Sequence, residues 1–208
     1  MRRAIQVAIA LGIACFVVGI SSAHVASAEP TCTGLTPTVV GTNGNDTLIG
    51  TAGDDVIHGL KGNDVILALG GNDVICGGSG DDILVGGGGQ DNLNAEGGND
   101  AVFGDYVLSP GNLAGLAPEA MSADITCTDR CRDDEGDDRL HGGSGNDLLV
   151  GGCGDDRLQG RQGDDILKGG KGDDRLWGNE GGDYLFGGEG TDGCDVGPDG
   201  LDAYDCES

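Results

Sequence analysis

Aspartate recurs every nine residues in two long runs of this 208-residue chain, and carboxylates are the side chains that hard divalent cations prefer. Each aspartate takes the sixth place of a nine-residue unit. The unit usually opens with glycine, has glycine again at the fourth place and carries an apolar residue at the eighth. The candidate metal ligands are therefore the aspartates at the sixth places: Asp46, Asp55, Asp64, Asp73, Asp82, Asp91, Asp100, Asp138, Asp147, Asp156, Asp165, Asp174, Asp183 and Asp192.

The rest of each unit indicates the elements that must hold these carboxylates. Places seven to nine mostly read polar, apolar, polar, which predicts a three-residue strand with one side chain pointing inward. Places one to six are rich in glycine, asparagine and aspartate, which is typical of a tight turn. One unit cannot bury its single aliphatic side chain. Two units back to back form a coil, and stacked coils bury a thin core between two parallel sheets.

The spacing of such coils indicates which cation fits between them. Strands of neighbouring coils lie roughly 4.8 Å apart, so an ion midway between two equivalent turns lies about 2.4 Å from each. Ca–O bonds are about 2.3–2.6 Å long, and glycine lets a turn aim its carbonyl groups inward. The sequence therefore predicts Ca²⁺ ions shared between turns n and n+2. Seven units in each run allow ten such pairings if the runs stack separately and twelve if they form one stack.

The unit resembles the repeats-in-toxin, or haemolysin-type, calcium-binding nonapeptide G-G-x-G-x-D-x-U-x, as in GGSGNDLLV over 142–150 and GGKGDDRLW over 169–177. The resemblance implies an all-β fold, a right-handed parallel β-roll (solenoid), with multiple Ca²⁺ ions held by aspartates and turn carbonyls. Relatives of this kind include proteases and lipases, but their catalytic domains are separate. This chain has neither HExxH nor G-x-S-x-G, so no enzymatic activity is predicted.

The repeats divide the chain into six segments. The predicted segments are a signal peptide over 1–28, an N-terminal cap over 29–40, seven nonapeptides over 41–103, an irregular insert over 104–132, seven nonapeptides over 133–195 and a C-terminal cap over 196–208. Thr38-Val39-Val40 is expected to form a strand that covers the first apolar rung.

The first segment has the features of an export signal. Arg2 and Arg3 precede an apolar stretch over 4–20, and Ala26-Ser27-Ala28 provides a small-x-small cleavage site. A transmembrane anchor is the alternative, but a spanning helix needs about 20 apolar residues and this run is shorter. The sequence predicts a secreted, extracellular protein with no membrane span in the mature chain.

The charge of the chain excludes some classes of partner. The 36 acidic residues outnumber the 11 basic ones, and the net charge is −25. Self-repulsion on this scale disfavours a compact state and argues against nucleic acid or anionic membranes as partners. Calcium ions are the expected counterions. A disordered acidic chain is the alternative, and the regularly spaced aliphatic residues argue against it only for the metal-bound state.

Seven cysteines follow the predicted cleavage point: Cys32, Cys76, Cys127, Cys131, Cys153, Cys194 and Cys206. Sequence proximity predicts the disulfides Cys127–Cys131 and Cys194–Cys206. The odd number leaves at least one thiol free or available to another chain. A zinc site at Cys127 and Cys131 is the alternative, but it lacks a second nearby pair of ligands.

The two histidines that follow the predicted cleavage point and three aromatic residues occupy ninth places, which should point outward: His58, His141, Phe103, Trp177 and Phe186. The histidines are expected to be solvated. Phe103 could pack under the insert, whereas Trp177 and Phe186 belong to successive units and should lie on opposite sheets.

These features predict a calcium-binding protein whose β-roll folds as it binds ions between Gly/Asp turns, because the binding free energy of each ion becomes folding free energy. The alternative is an adhesion or extracellular matrix scaffold, stiffened by calcium, in which the 104–132 insert contacts a protein or a cell surface.

Overall fold

The computed structural model describes residues 32–105 and 136–206, and every element in them is a β-strand. The predicted signal peptide, the bulk of the insert with the Cys127–Cys131 pair, and the outermost residues of both caps lie outside the described residues. The strands in chain order are β1 Val39–Val40, β2 Thr47–Ile49, β3 Val56–Lys61, β4 Val65–Gly70, β5 Val74–Ser79, β6 Ile83–Gly88, β7 Asn92–Gly97, β8 Ala101–Phe103, β9 Arg139–Ser144, β10 Leu148–Cys153, β11 Arg157–Gln162, β12 Ile166–Lys171, β13 Arg175–Glu180, β14 Tyr184–Glu189, β15 Gly193–Asp195 and β16 Asp202–Tyr204.

The strands form two eight-stranded parallel sheets, which we call the odd sheet and the even sheet. The odd sheet has the order β1-β3-β5-β7-β9-β11-β13-β15, and the even sheet has the order β16-β14-β12-β10-β8-β6-β4-β2. Successive units alternate between the sheets, so each strand pairs with the strand two units away, as Ile57 pairs with Ile75 and Ile66 with Leu84. The predicted all-β, parallel β-roll architecture is confirmed.

The core is a single file of inward side chains from the two sheets. The eighth-place residues between Ile57 and Leu185 are fully buried and pack in one cluster, which Val39, Leu48, Cys194 and Val196 close at its ends. Such a core is one residue wide in each strand. It therefore buries little apolar area per residue, and the stability that it alone can supply is small.

The strands are longer than the sequence predicted. Most have six residues rather than three, because parallel pairing continues through the second and third places of the following unit, as in the pairs Leu60↔Gly78 and Lys61↔Ser79. The turn is left with the fourth to sixth places. The fourth place requires glycine: Gly71 has φ +114°, and a Cβ there would lie 2.5 Å from the Gly53 carbonyl carbon.

The two runs of repeats form one continuous stack. Strand β7 pairs with β9 and β8 pairs with β10, although the intervening 104–132 insert lengthens the offset between paired residues from 18 to 47. Gly104, assigned to the insert from the sequence, keeps its place in the ladder, because its N–H donates to the Val150 carbonyl at 2.9 Å. The described part of the stack stops at Asp105 and resumes at Gly136.

A second apolar cluster lies on the outer face of the even sheet. Its buried members occupy seventh and ninth places: Leu67, Ile83, Val85, Ala101, Phe103 and Val150. Polar outward residues were predicted at these places, and the prediction is wrong for this part of the even sheet. Phe103 is only 1% exposed, so this stretch of sheet is apolar and buried on both faces.

Short strands and disulfides close the two ends. Val39–Val40 pairs with β3, as expected for the first rung, and Asp202–Tyr204 adds a last strand beside β14. The predicted Cys194–Cys206 disulfide is present. A second disulfide joins Cys32 to Cys76 across 44 residues of sequence, which proximity could not predict, and Cys153 is also disulfide-bonded. In residues 32–105 and 136–206 we find no helix long and apolar enough to cross a bilayer.

Candidate metal-binding turns

The fourteen candidate aspartates form two hydrogen-bonded ladders that run the length of the stack. From Asp64 onward the Oδ1 atom of each accepts the backbone N–H of the aspartate one coil earlier, as when Asp156 N–H donates to Asp174 Oδ1 at 2.8 Å. The ladders continue across the insert, where Asp91 N–H donates to Asp138 Oδ1 at 2.7 Å. There are twelve such links, the number expected for one stack of fourteen turns.

The hydrogen bonding of the other carboxylate oxygen, Oδ2, differs between the first two aspartates and the remaining twelve. In the first two units a threonine at the second place satisfies it: Thr42 N–H donates to Asp46 Oδ2 and Thr51 N–H to Asp55 Oδ2, both at 2.6 Å. In the other twelve the Oδ2 atom is buried and has no hydrogen-bond partner in the described structure: Asp64, Asp73, Asp82, Asp91, Asp100, Asp138, Asp147, Asp156, Asp165, Asp174, Asp183 and Asp192. A buried acceptor without a donor is costly, so these twelve oxygens are oriented for a ligand.

Each unpartnered oxygen faces a space that a glycine keeps open. A Cβ built on Gly77 would lie 2.5 Å from Asp82 Oδ2 and 2.9 Å from the carbonyl oxygen of Ala95, one coil further on. The first-place glycine thus leaves a cradle lined by a carboxylate and a main-chain carbonyl. Both are hard oxygen donors of the kind that Ca²⁺ takes, and these residues fit the ion.

Three units depart from this arrangement. Ala68 and Ala95 replace the first-place glycine, and both are fully buried within the core cluster, so a methyl group occupies the interior beside Asp73 and Asp100. The unit of Asp138 is split by the insert, and Gly104 supplies its cradle: a Cβ on Gly104 would meet Asp138 Oδ2 and the Gly151 carbonyl. Sequence spacing alone, which counts this unit from residue 133, could not show that substitution.

The buried carboxylates are poorly suited to carry charge without a cation. Burial, the main cause, raises the pKa of Asp174 to about 7 and that of Asp156 to about 9, and neighbouring aspartates add to the rise. The pKa of Asp138 rises to about 10, through burial and then the nearby charge of Asp105. Hydrogen bonds from the backbone to these carboxylates lower each pKa but do not offset burial. A divalent cation would stabilise the ionised form.

Side chains other than one aspartate per turn contribute little to these sites. No group of three or more His, Cys, Asp and Glu side chains gathers within 32–105 and 136–206 in a way that could hold a metal. A cation bound in the turns would therefore depend on main-chain carbonyls for much of its coordination. The histidines at ninth places, His58 and His141, are half-buried rather than solvated.

A second ladder, at the fifth places, was not recognised in the sequence. There an Asn or Asp Oδ1 accepts the backbone N–H one coil later, as Asp173 accepts from Thr191 at 2.9 Å and Asn63 from Asp81 at 3.2 Å. This direction is opposite to that of the sixth-place ladders. The side chains are exposed, so we assign them to turn stabilisation. The signal was available in the sequence, since eleven of the fourteen fifth places are Asn or Asp.

Comparison with known protein families agrees with the geometry. The RTX calcium-binding nonapeptide repeat matches in four copies, at residues 40–75, 77–105, 132–167 and 159–194, which together cover more than half of the chain. The search of curated proteins found no match to this chain. The sixth-place carboxylates, the glycine cradles and this match agree on one conclusion: the chain belongs to the family of RTX calcium-binding nonapeptide repeat proteins.

Proposed function

We propose that the protein is a secreted calcium-binding β-roll whose folding is coupled to the binding of several calcium ions. The observation that carries the proposal is the set of twelve buried, unpartnered Oδ2 atoms, one in each turn from Asp64 onward. Bound Ca²⁺ would supply positive charge and oxygen coordination between turns.

The chain's own residues explain why folding should require the ion. Without it, twelve buried carboxylates must either bind protons or remain charged and desolvated, and both the net charge of −25 and the thin core oppose a compact state. With the ion, the Asp Oδ2 and the carbonyl one coil later become joint ligands. The two turns are then held at the strand spacing, and the binding free energy is folding free energy.

The cradles favour ten equivalent sites rather than twelve. Asp46 Oδ2 and Asp55 Oδ2 accept hydrogen bonds from Thr42 and Thr51, so we assign these two aspartates to the closure of the first coil. Asp73 and Asp100 face the methyl groups of Ala68 and Ala95, and their sites should be weaker or empty. The remaining ten unpartnered aspartates lie beside glycine.

The disulfides, together with the calcium affinity expected of such sites, support an extracellular location. The disulfides Cys32–Cys76 and Cys194–Cys206 require an oxidising compartment. Calcium affinities of about 10⁻⁴–10⁻³ M, typical of extracellular modules, would keep the sites filled there and leave them empty in a cytosol with little free calcium. The predicted signal peptide is consistent with this location but lies outside the described residues. The absence of enzymatic activity and the scaffold role of the 104–132 insert stay predictions.

The test is far-ultraviolet circular dichroism of residues 29–208 during a calcium titration, with magnesium as the control. We expect a coil spectrum that changes cooperatively to a β spectrum near millimolar calcium, is restored by chelator and does not respond to magnesium. A β spectrum that persists in excess chelator would show that the core and the disulfides suffice for folding. Coupling to folding would then be rejected, even if calcium still binds.

A further inference from the structure

The outer face of the odd sheet carries a groove that the calcium sites do not use. Its walls are Arg139 and His141 on β9, Arg157 and Gln159 on β11, and Trp177 on β13, and its volume is about 310 Å³. These residues occupy seventh and ninth places, so they point away from the core and from the turns. A volume of this size is typical of sites for small ligands.

A column of arginines runs along the groove. Arg139, Arg157 and Arg175 are directly paired in register on three neighbouring strands, and strand spacing sets their Cα atoms about 4.8 Å apart. Like charges at directly opposed places of a sheet are destabilising. None of the three forms an ion pair with any acid in residues 32–105 or 136–206, in a chain with 36 acidic residues. The column is therefore available to a bound anion.

The other walls of the groove suit a polyhydroxylated ligand with an apolar face. His141 Nδ1 is buried and has no hydrogen-bond partner in the described structure, and the Gln159 amide lies beside it in register. Trp177 is 36% exposed and offers a flat apolar surface. The column is short, because Asn92 and Gly193 occupy the next seventh places on either side, and Asp195 follows Trp177 at the ninth places. A long polyanion would run onto uncharged or acidic surface.

We propose that this groove binds a short acidic oligosaccharide bearing carboxylates. The guanidinium groups of Arg139 and Arg157 can each pair with a carboxylate through two hydrogen bonds. Gln159 and His141 can bond sugar hydroxyls, and Trp177 can pack against the apolar face of a sugar ring. An unsubstituted aromatic carboxylate offers no hydroxyl group to Gln159 or to the unpartnered Nδ1 of His141. Nucleic acid is disfavoured by the acidic surroundings of the groove.

The chain provides its own reporter for the test, since Trp177 is its only tryptophan. The calcium-loaded full chain is titrated with a trimer of galacturonate, with a neutral galactose trimer as the control, at a free calcium concentration fixed by electrode. Fluorescence and calorimetry are read together, so that a ligand that does not perturb the tryptophan is still detected. We expect saturable binding of the acidic trimer alone.

Two variants locate the site. Arg157→Gln removes the central charge of the column and should weaken binding about tenfold or more, because it removes charged hydrogen bonds. Lys168→Gln removes one positive charge from the outer face of the even sheet and should leave binding unchanged. Arg139→Gln takes the place of Arg157→Gln should that variant fail to fold in calcium. Equal binding of the two trimers, binding of neither, or unchanged affinity in the arginine variant would each overturn the proposal.

Discussion

Two adjacent aspartates in one turn offer a direct test of which carboxylates bind calcium. Asp173 and Asp174 both accept a backbone hydrogen bond through Oδ1, from Thr191 at 2.9 Å and from Asp156 at 2.8 Å. An asparagine at either place can keep that bond. Only Asp174 has a buried, unpartnered Oδ2 beside a glycine cradle, whereas Asp173 is exposed. Asp174→Asn therefore removes a metal ligand, and Asp173→Asn removes only an exposed charge.

The expected sizes of the two effects differ clearly. With calcium at about 100 times the dissociation constant, one site contributes about 2.7 kcal/mol to the free energy of unfolding. Loss of the Asp174 site should lower that free energy by this amount. For a chain of this size it corresponds to a melting temperature roughly 5–11 °C lower. Asp173→Asn should change the free energy of unfolding by less than about 0.5 kcal/mol, as is usual for an exposed substitution.

The assay is thermal unfolding by circular dichroism at fixed calcium, combined with bound calcium counted by equilibrium dialysis. Asp174→Asn should bind one ion fewer than the parent chain, and Asp173→Asn should bind the same number. Equal loss of melting temperature in both variants would mean that general charge, rather than the buried oxygen, determines calcium-dependent stability. An unchanged number of bound calcium ions in Asp174→Asn would refute the assignment of a calcium site to the cradle beside Asp174.

Three further predictions follow from the described geometry. Without calcium, folding raises the pKa of several buried aspartates from about 3.8 to about 7. Between these two pH values the folded chain binds more protons than the unfolded chain. The free energy of unfolding therefore falls as the pH rises from about 4 to about 7. In chelator, the β signal should therefore increase from pH 8 to pH 4.5, and no increase would contradict the burial of these groups. Leu69 is exposed and has φ +86°, a backbone conformation that is strained for leucine and relaxed for glycine. Leu69→Gly should therefore raise the free energy of unfolding in urea by about 1 kcal/mol. Ile166→Gly, at an exposed position of an ordinary strand, is the control and should lower that free energy. Replacing Cys32 and Cys76 by serine removes a disulfide that closes a loop of 44 residues, and it should lower the free energy of unfolding in urea by about 2–4 kcal/mol. A decrease near zero would show that the N-terminal cap folds independently of this disulfide.

The features predicted correctly are those that the nine-residue period fixes. A repeat with one aliphatic residue per unit determines which side chains point inward, so the core from Ile57 to Leu185 and the alternation between two sheets follow from spacing alone. The same period places Trp177 and Phe186 on opposite sheets, as expected. These are consequences of side-chain alternation in strands and need no knowledge of the turns.

The features that were missed depend on contacts that the period does not encode. Thr42 and Thr51 satisfy the first two aspartates because of a hydrogen bond within each turn, and a list of sixth-place aspartates cannot show that. The Cys32–Cys76 disulfide joins residues two coils apart, whereas sequence proximity favours only near neighbours. The strands extend to six residues because the second and third places of the following unit also pair in the ladder, as Gly152 does with Gly170 and Cys153 with Lys171.

The place where the insert leaves the stack explains how one set of calcium sites can span both runs of repeats. The insert joins the second and fourth places of a single unit, so β8 is only three residues long, but β8 still pairs with β10 and β7 with β9. Gly104 on one side and Asp138 on the other still form one cradle. Nearest-neighbour coupling through the aspartate ladder therefore passes the insert at Asp91–Asp138 and Asp100–Asp147. In a stack whose coils contact only their neighbours, cooperative calcium binding requires an unbroken series of contacts between neighbouring coils. We therefore expect all the sites to fill in one transition rather than in two.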